Sequence, residues 1–157
     1  MKKVIKLFIV FIGIIFISGC SVNLPNKKIS ICTLENDQSK SGYKVSSTYK
    51  IYSKNDIVTK VNTEEILTSK NTTIIKYFED LINKQYKELN NTYGGYTYNI
   101  KKDNDKIIST VNIDYSKMNL EKFINDNSAM KAYINKDKKM TLKGIQTMYQ
   151  SLGAKCK

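Results

Sequence analysis

The acidic pairs Glu64-Glu65 and Glu79-Asp80, the run Asp103-Asn104-Asp105 and the segment Tyr93-Gly94-Gly95-Tyr96-Thr97-Tyr98 hold the residues here whose types and spacing could do chemistry. Adjacent residues on a strand or a helix point in different directions, so neither acidic pair converges on one substrate unaided. Solvated faces are the expectation for both. Asp103-Asn104-Asp105 opens like a calcium loop, and Asp114 falls at its twelfth position. The sixth position, where a sharp turn needs glycine, is Ile108. A hairpin turn is therefore predicted. The chain has no histidine, so a serine or cysteine nucleophile lacks its usual base, and no local motif argues for a Ser–Lys pair. Tyrosine rings stack on sugars or peptides, and two glycines let a backbone approach closely. Tyr93, Tyr96 and Tyr98 are thus candidate ligand-binding residues. The competing reading is a helix-to-strand turn followed by inward tyrosines in a core without tryptophan. No catalytic set, cofactor or metal site is read from these residues.

The three cysteines are more informative. Lys2, Lys3 and Lys6 make a positive head, Leu7 to Ile17 is almost unbroken apolar sequence, and Ile17-Ser18-Gly19-Cys20 closes it. That order is a secretory signal with a small-residue cleavage site. The apolar stretch is too short to span a bilayer, which takes roughly 20 residues. A cysteine directly after the site resembles the lipobox of bacterial lipoprotein signals. There the thiol takes a diacylglyceryl group, the leader is cut before it, and the new amine is open to acylation. Two acyl chains give stable attachment where one is marginal, at about 0.8 kcal/mol per buried methylene. Cys20 is the expected lipidation site. Cys32 and Cys156 remain, one near each end of the exported part. An even pair in an exported protein reads as a disulfide, and closing so long a loop is worth roughly 4–5 kcal/mol in the chain-entropy model. Two reduced thiols are the alternative, because many low-GC Gram-positive bacteria make few disulfides.

Residues 1–19 are thus read as signal peptide, 20–28 as lipidated N-terminus and tether, and 29–157 as one compact domain. The exported length suffices for one core but not two; a two-lobed solute-binding protein needs about twice as much. The tether carries the only proline, Pro25, and keeps the domain within about 25–30 Å of the bilayer. Lys27 and Lys28 lie where anionic headgroups attract them, by about 1 kcal/mol each at best.

The formal charge of +12 rests on lysine alone, with arginine and tryptophan both absent. Losing the leader's three lysines takes it to about +9. One reading is a basic surface that attracts anionic lipid or wall polymer. The other is an AT-rich genome favouring Lys, Asn, Ile and Tyr codons, which points to a Gram-positive host and the outer face of its plasma membrane. Nucleic acid is excluded as a partner: recognition leans on arginine forks, and the chain is exported.

The elements follow from periodicity. A brief strand is expected around Ile29 to Leu34. Tyr43, Val45, Tyr49 and Ile51 alternate with polar residues as a half-buried strand, and Lys54-Asn55-Asp56 turns into a returning strand, Ile57 to Leu67. Ser69 to Thr72 offers N-caps for a helix whose Ile74, Phe78, Leu81, Ile82 and Leu89 fall at helical intervals. Tyr96 to Ile100 and Ile107 to Tyr115 form a second hairpin. Asn119 and Thr141 each look like N-caps, with Met118/Phe123 and Met140/Ile145 as hydrophobic staples, and Gly153 is a C-terminal stop. The predicted fold is α+β, an antiparallel sheet in the order β-β-β-α-β-β-α-α with helices on one face.

The lipobox, the strand pairs and the run Met140-Thr141-Leu142-Lys143-Gly144-Ile145, continued in Tyr149-Gln150-Ser151-Leu152-Gly153-Ala154-Lys155, together resemble the YehR-like small bacterial lipoproteins, a family of uncharacterised function. Tyr52 to Lys60 is similar to that family's early hairpin, with Asn55 where glycine is common. The resemblance implies a compact α+β domain outside the membrane and supplies no active residues. The expected function is a lipid-anchored accessory or binding protein of the envelope, outside the plasma membrane. Its partners would be membrane lipid through Cys20 and an envelope protein, anionic polymer or small ligand. A small envelope hydrolase and a structural or exclusion-type surface lipoprotein are the alternatives.

Overall fold

The computed structural model describes residues 26–157; the signal peptide, Cys20 and most of the tether lie outside the described residues. Three long strands come first: β1 (Lys27–Gln38), β2 (Tyr43–Lys54) and β3 (Ile57–Thr68). A helix α1 (Thr72–Tyr93) leads to β4 (Tyr96–Asp103) and β5 (Lys106–Asp114). Then come α2 (Leu120–Asp126), a 3-10 turn (Ser128–Tyr133), α3 (Leu142–Ser151) and a two-residue strand β6 (Lys155–Cys156). All the strands join one antiparallel sheet in the order β4-β5-β3-β2-β1-β6. The α+β class, the antiparallel sheet and the run of elements stand as the sequence predicts, with β6 added.

Alternation decides which face is covered. Ser47, Tyr49, Ile51 and Ser53 of β2 are buried, as are Ile107, Ser109 and Val111 of β5. All three helices pack on that face. Ile75 and Ile82 of α1 meet Leu67 and Ile107, while Ile145 and Tyr149 of α3 and Ile124 of α2 close over Cys32, Tyr49, Ile51 and Val61. Tyr49 and Tyr149 stack with ring centroids 4.0 Å apart. In β3 both Val58 and Val61 are buried, which strict alternation forbids. A bulge at Thr59 resolves it, since Tyr52 pairs with Lys60 but Ser53 with Val58.

The caps are those legible in the sequence. Asn71, Asn119 and Thr141 accept backbone N–H groups of Thr73, Lys122 and Gly144, and Gly153 takes a positive φ of 95° after α3. Two differences concern β1 and β6. The first strand is longer than expected, because polar Glu35, Asn36 and Asp37 still pair with Ser46, Val45 and Lys44; an exposed edge needs no apolar residues. β6 is too short to show periodicity and is set by its partner. Ile31 and Lys157 exchange two backbone hydrogen bonds of 3.1 and 2.8 Å, which puts Cys32 and Cys156 next to them as a close, directly opposed pair.

Candidate functional site

Cys32 and Cys156 sit at disulfide distance, with 1.97 Å between sulfurs. Cys32 is fully buried. The pair clips the chain's last strand to its first across 124 residues of sequence.

The three candidate tyrosines each pack against other aromatic residues. Tyr96 is buried beside Val111 and Met118, and burial, with Tyr86 and Tyr93 adding to it, pushes its phenol up to about 12. Tyr93 packs edge-on against Phe123, 5.2 Å between centroids. Its hydroxyl donates to Asp126 at 3.2 Å, and the Lys122 ammonium lies 5.2 Å from the ring centroid. A hydrogen bond from Lys122 holds the Asp126 carboxyl below its ordinary range. Tyr98 packs on Tyr86 and donates to the Asn83 carbonyl at 3.3 Å. Gly94 and Gly95 take positive φ, and a Cβ on Gly95 would fall 2.6 Å from the Asp114 carbonyl oxygen. The glycines therefore let the turn close on the end of β5. Tyr96 is buried, while Tyr93 and Tyr98 are half-buried.

The acidic residues also separate. Glu64 lies on the uncovered face of the sheet; Glu65 points to the helix side and accepts from Ser47 at 3.1 Å. Glu79 reaches Lys102 at 3.9 Å. Asp103 pairs with Lys106 across a tight turn at Asn104-Asp105, as hairpin geometry requires.

The uncovered sheet face is where polar side chains gather. Register builds two rows across it. One runs Ile31, Lys50, Asn62, Asn112, Thr97, and the next Thr33, Thr48, Glu64, Thr110, Asn99. Their centre is a shallow cavity of about 320 Å³ lined by Thr48, Lys50, Tyr52, Asn62, Glu64, Thr110 and Asn112. The Asn62 side-chain oxygen on its floor is inaccessible and has no hydrogen-bond partner among the described residues, an unusual state for a buried acceptor. A second hollow of about 350 Å³, lined by Lys60, Gly95, Thr97, Asp114 and Lys117, adjoins it at Asn112. Together they form a trough of carboxamides, hydroxyls, lysines and single carboxylates. It is suited to hydrogen-bonding a polar partner, and each hollow contributes one carboxylate to it. Alternation in the sequence turns Thr48, Lys50 and Thr97 outward, but only the cross-strand register brings them together with Asn62, Glu64, Thr110 and Asn112.

No protein-family model matches this chain, and no curated protein is significantly similar to it. Two solved structures are similar. The NMR structure of YehR from Escherichia coli superposes with a TM-score of 0.52 at 15% identity, over 83% of this chain and 92% of that one. The chain shares its fold with YehR. An NMR structure of a protein from Streptococcus pneumoniae TIGR4 gives a TM-score of 0.49 at 12% identity, over 100% of this chain and 96% of that one.

Proposed function

We propose that this protein is a YehR-like lipoprotein of the bacterial envelope, held by a diacylglyceryl group on Cys20, whose domain binds or assists another envelope component. The sequence Ile17-Ser18-Gly19-Cys20 behind a lysine head and an apolar run carries this reading. Two structural observations support it. Cysteines paired at disulfide distance suit a domain that works in an oxidising compartment. The polar trough on the uncovered face leaves an accessory domain a surface free for a hydrogen-bonding partner such as a wall polymer or an extended peptide.

Fractionation of cells tests the anchor. The wild-type protein is expected in the membrane pellet through a high-salt wash, and Cys20→Ala in the soluble or unprocessed fraction. Salt-stable membrane attachment of processed Cys20→Ala would contradict the proposal.

A further inference from the structure

The end of the sheet from which the chain leaves toward Cys20 is assembled from three separate segments. The Asn55 N–H donates to the Asn26 carbonyl at 3.1 Å, and Lys27 lies opposite Lys54. The Asp56 carbonyl accepts from the Leu142 N–H at 2.8 Å, and Val58 N–H donates to Met140 at 2.9 Å. These bonds seat the Asn135–Lys139 turn, itself closed by a 2.9 Å hydrogen bond, beside the β2–β3 turn. The result gathers Lys27, Lys28, Lys54, Lys136, Lys138 and Lys139 at one exposed end. Facing them are the carboxylates of Asp56, Asp137 and Glu121. Lys28 reaches Asp56 at 3.6 Å and Lys138 reaches Glu121 at 3.0 Å. Among the described residues, Lys27, Lys54, Lys136 and Lys139 make no ion pair.

The opposite end differs. Its turns are tied together by Ser69, which donates its hydroxyl to the Gly42 carbonyl at 2.7 Å and its N–H to the Asp105 carbonyl at 2.9 Å. There Lys40, Lys44, Lys70, Lys101, Lys102 and Lys106 stand with Asp37, Glu79, Asp103 and Asp105, with Lys44 on Asp37 at 2.8 Å and Lys102 on Glu79 at 3.9 Å. A strand as long as β2 separates the two ends by roughly 35 Å, several times the screening length of about 8 Å at physiological salt. A charged plane at one end is therefore not felt at the other.

We propose that the basic end is a headgroup-binding surface, and that its partner is the phosphate-bearing anionic lipid of the bilayer that holds Cys20. This rests on the lipid anchor proposed above. Two observations carry it. Five residues separate Cys20 from Asn26, a reach of roughly 20 Å at full extension, so this end faces the bilayer. The lysine excess is larger there, where phosphate lies, and four of its six lysines make no ion pair among the described residues. Anchor and charge together set one orientation, with the strands standing up from the membrane and the polar trough displayed sideways.

The protein's own lysines report the outcome. The natively processed protein is reconstituted into vesicles of phosphatidylglycerol with phosphatidylcholine, or of phosphatidylcholine alone. It is acetylated briefly and the labelled sites are read by mass spectrometry. At about 50 mM salt, Lys27, Lys54, Lys136 and Lys139 are expected to react about fivefold more slowly on the anionic vesicles. Lys40, Lys70 and Lys106 should be unchanged, and about 0.5 M salt should erase the difference. Equal labelling of both ends on both vesicles overturns the proposal, as does equal protection on pure phosphatidylcholine. Protection by a soluble glycerol-phosphate polymer but not by anionic vesicles would make the partner a polymer and overturn it too. The intact mass of the same sample separates the two readings. A sample lacking the diacylglyceryl group removes the anchor, whereas a lipidated sample without protection removes only the headgroup surface.

Discussion

At Gly144 the first turn of α3 lies flat on the backbone of the preceding 3-10 turn. A Cβ there would fall 2.3 Å from the Tyr133 carbonyl oxygen and 2.7 Å from the Thr141 hydroxyl that caps the helix. Neither group has room to yield, because Thr141 bonds both Gly144 N–H and Tyr133 O. Gly144→Ala is expected to cost about 2–3 kcal/mol despite alanine's better helix propensity, seen as a lower urea midpoint. An unchanged midpoint would contradict this packing. The caps Asn119 and Thr141 were legible because a cap is local: its acceptor, donor and staple lie within a few residues. Gly144 was not, since the atom that forbids a side chain comes from a different segment. The tyrosines were half legible. Alternation says that Tyr96 and Tyr98 point inward, but not that Tyr93 spends its hydroxyl on Asp126.

At the scale of elements, the sheet's free edge is finished by its last residues. β6 pairs with β1 through Cys32 and Cys156, so the disulfide fixes the C-terminus where two strand residues alone would fray. For a loop of this length the chain-entropy model gives about 5 kcal/mol. Reduction under native conditions is expected to lower the unfolding free energy by roughly that amount, measured by urea titration with and without dithiothreitol. Equal stability of the two forms would show that the bond contributes nothing to the fold. Strand and helix positions were readable from alternation and helical spacing. The bulge at Thr59 was hidden because Ile57 and Val58 are both apolar and fit either register. β6 was hidden because a two-residue strand has no period.

The whole molecule is asymmetric in two directions. Across the sheet, the three described helices pack on one face and leave the other as a polar trough. Along the strands, the end nearest Asn26 has the larger excess of lysine over carboxylate. Neither asymmetry is visible in a linear reading. The trough depends on β5 slotting between β3 and β4, an order that chain sequence does not dictate, and the basic end joins segments more than 80 residues apart. The proposed point of attachment, Cys20, is by contrast local in the sequence, and the proposed orientation and partner depend on it. The most direct measurement is mass spectrometry of the N-terminal peptide from the native, membrane-extracted protein. The account predicts a chain that starts at residue 20 with a diacylglyceryl group on its sulfur. A peptide that still contains the leader, or a free thiol at that position, would contradict it.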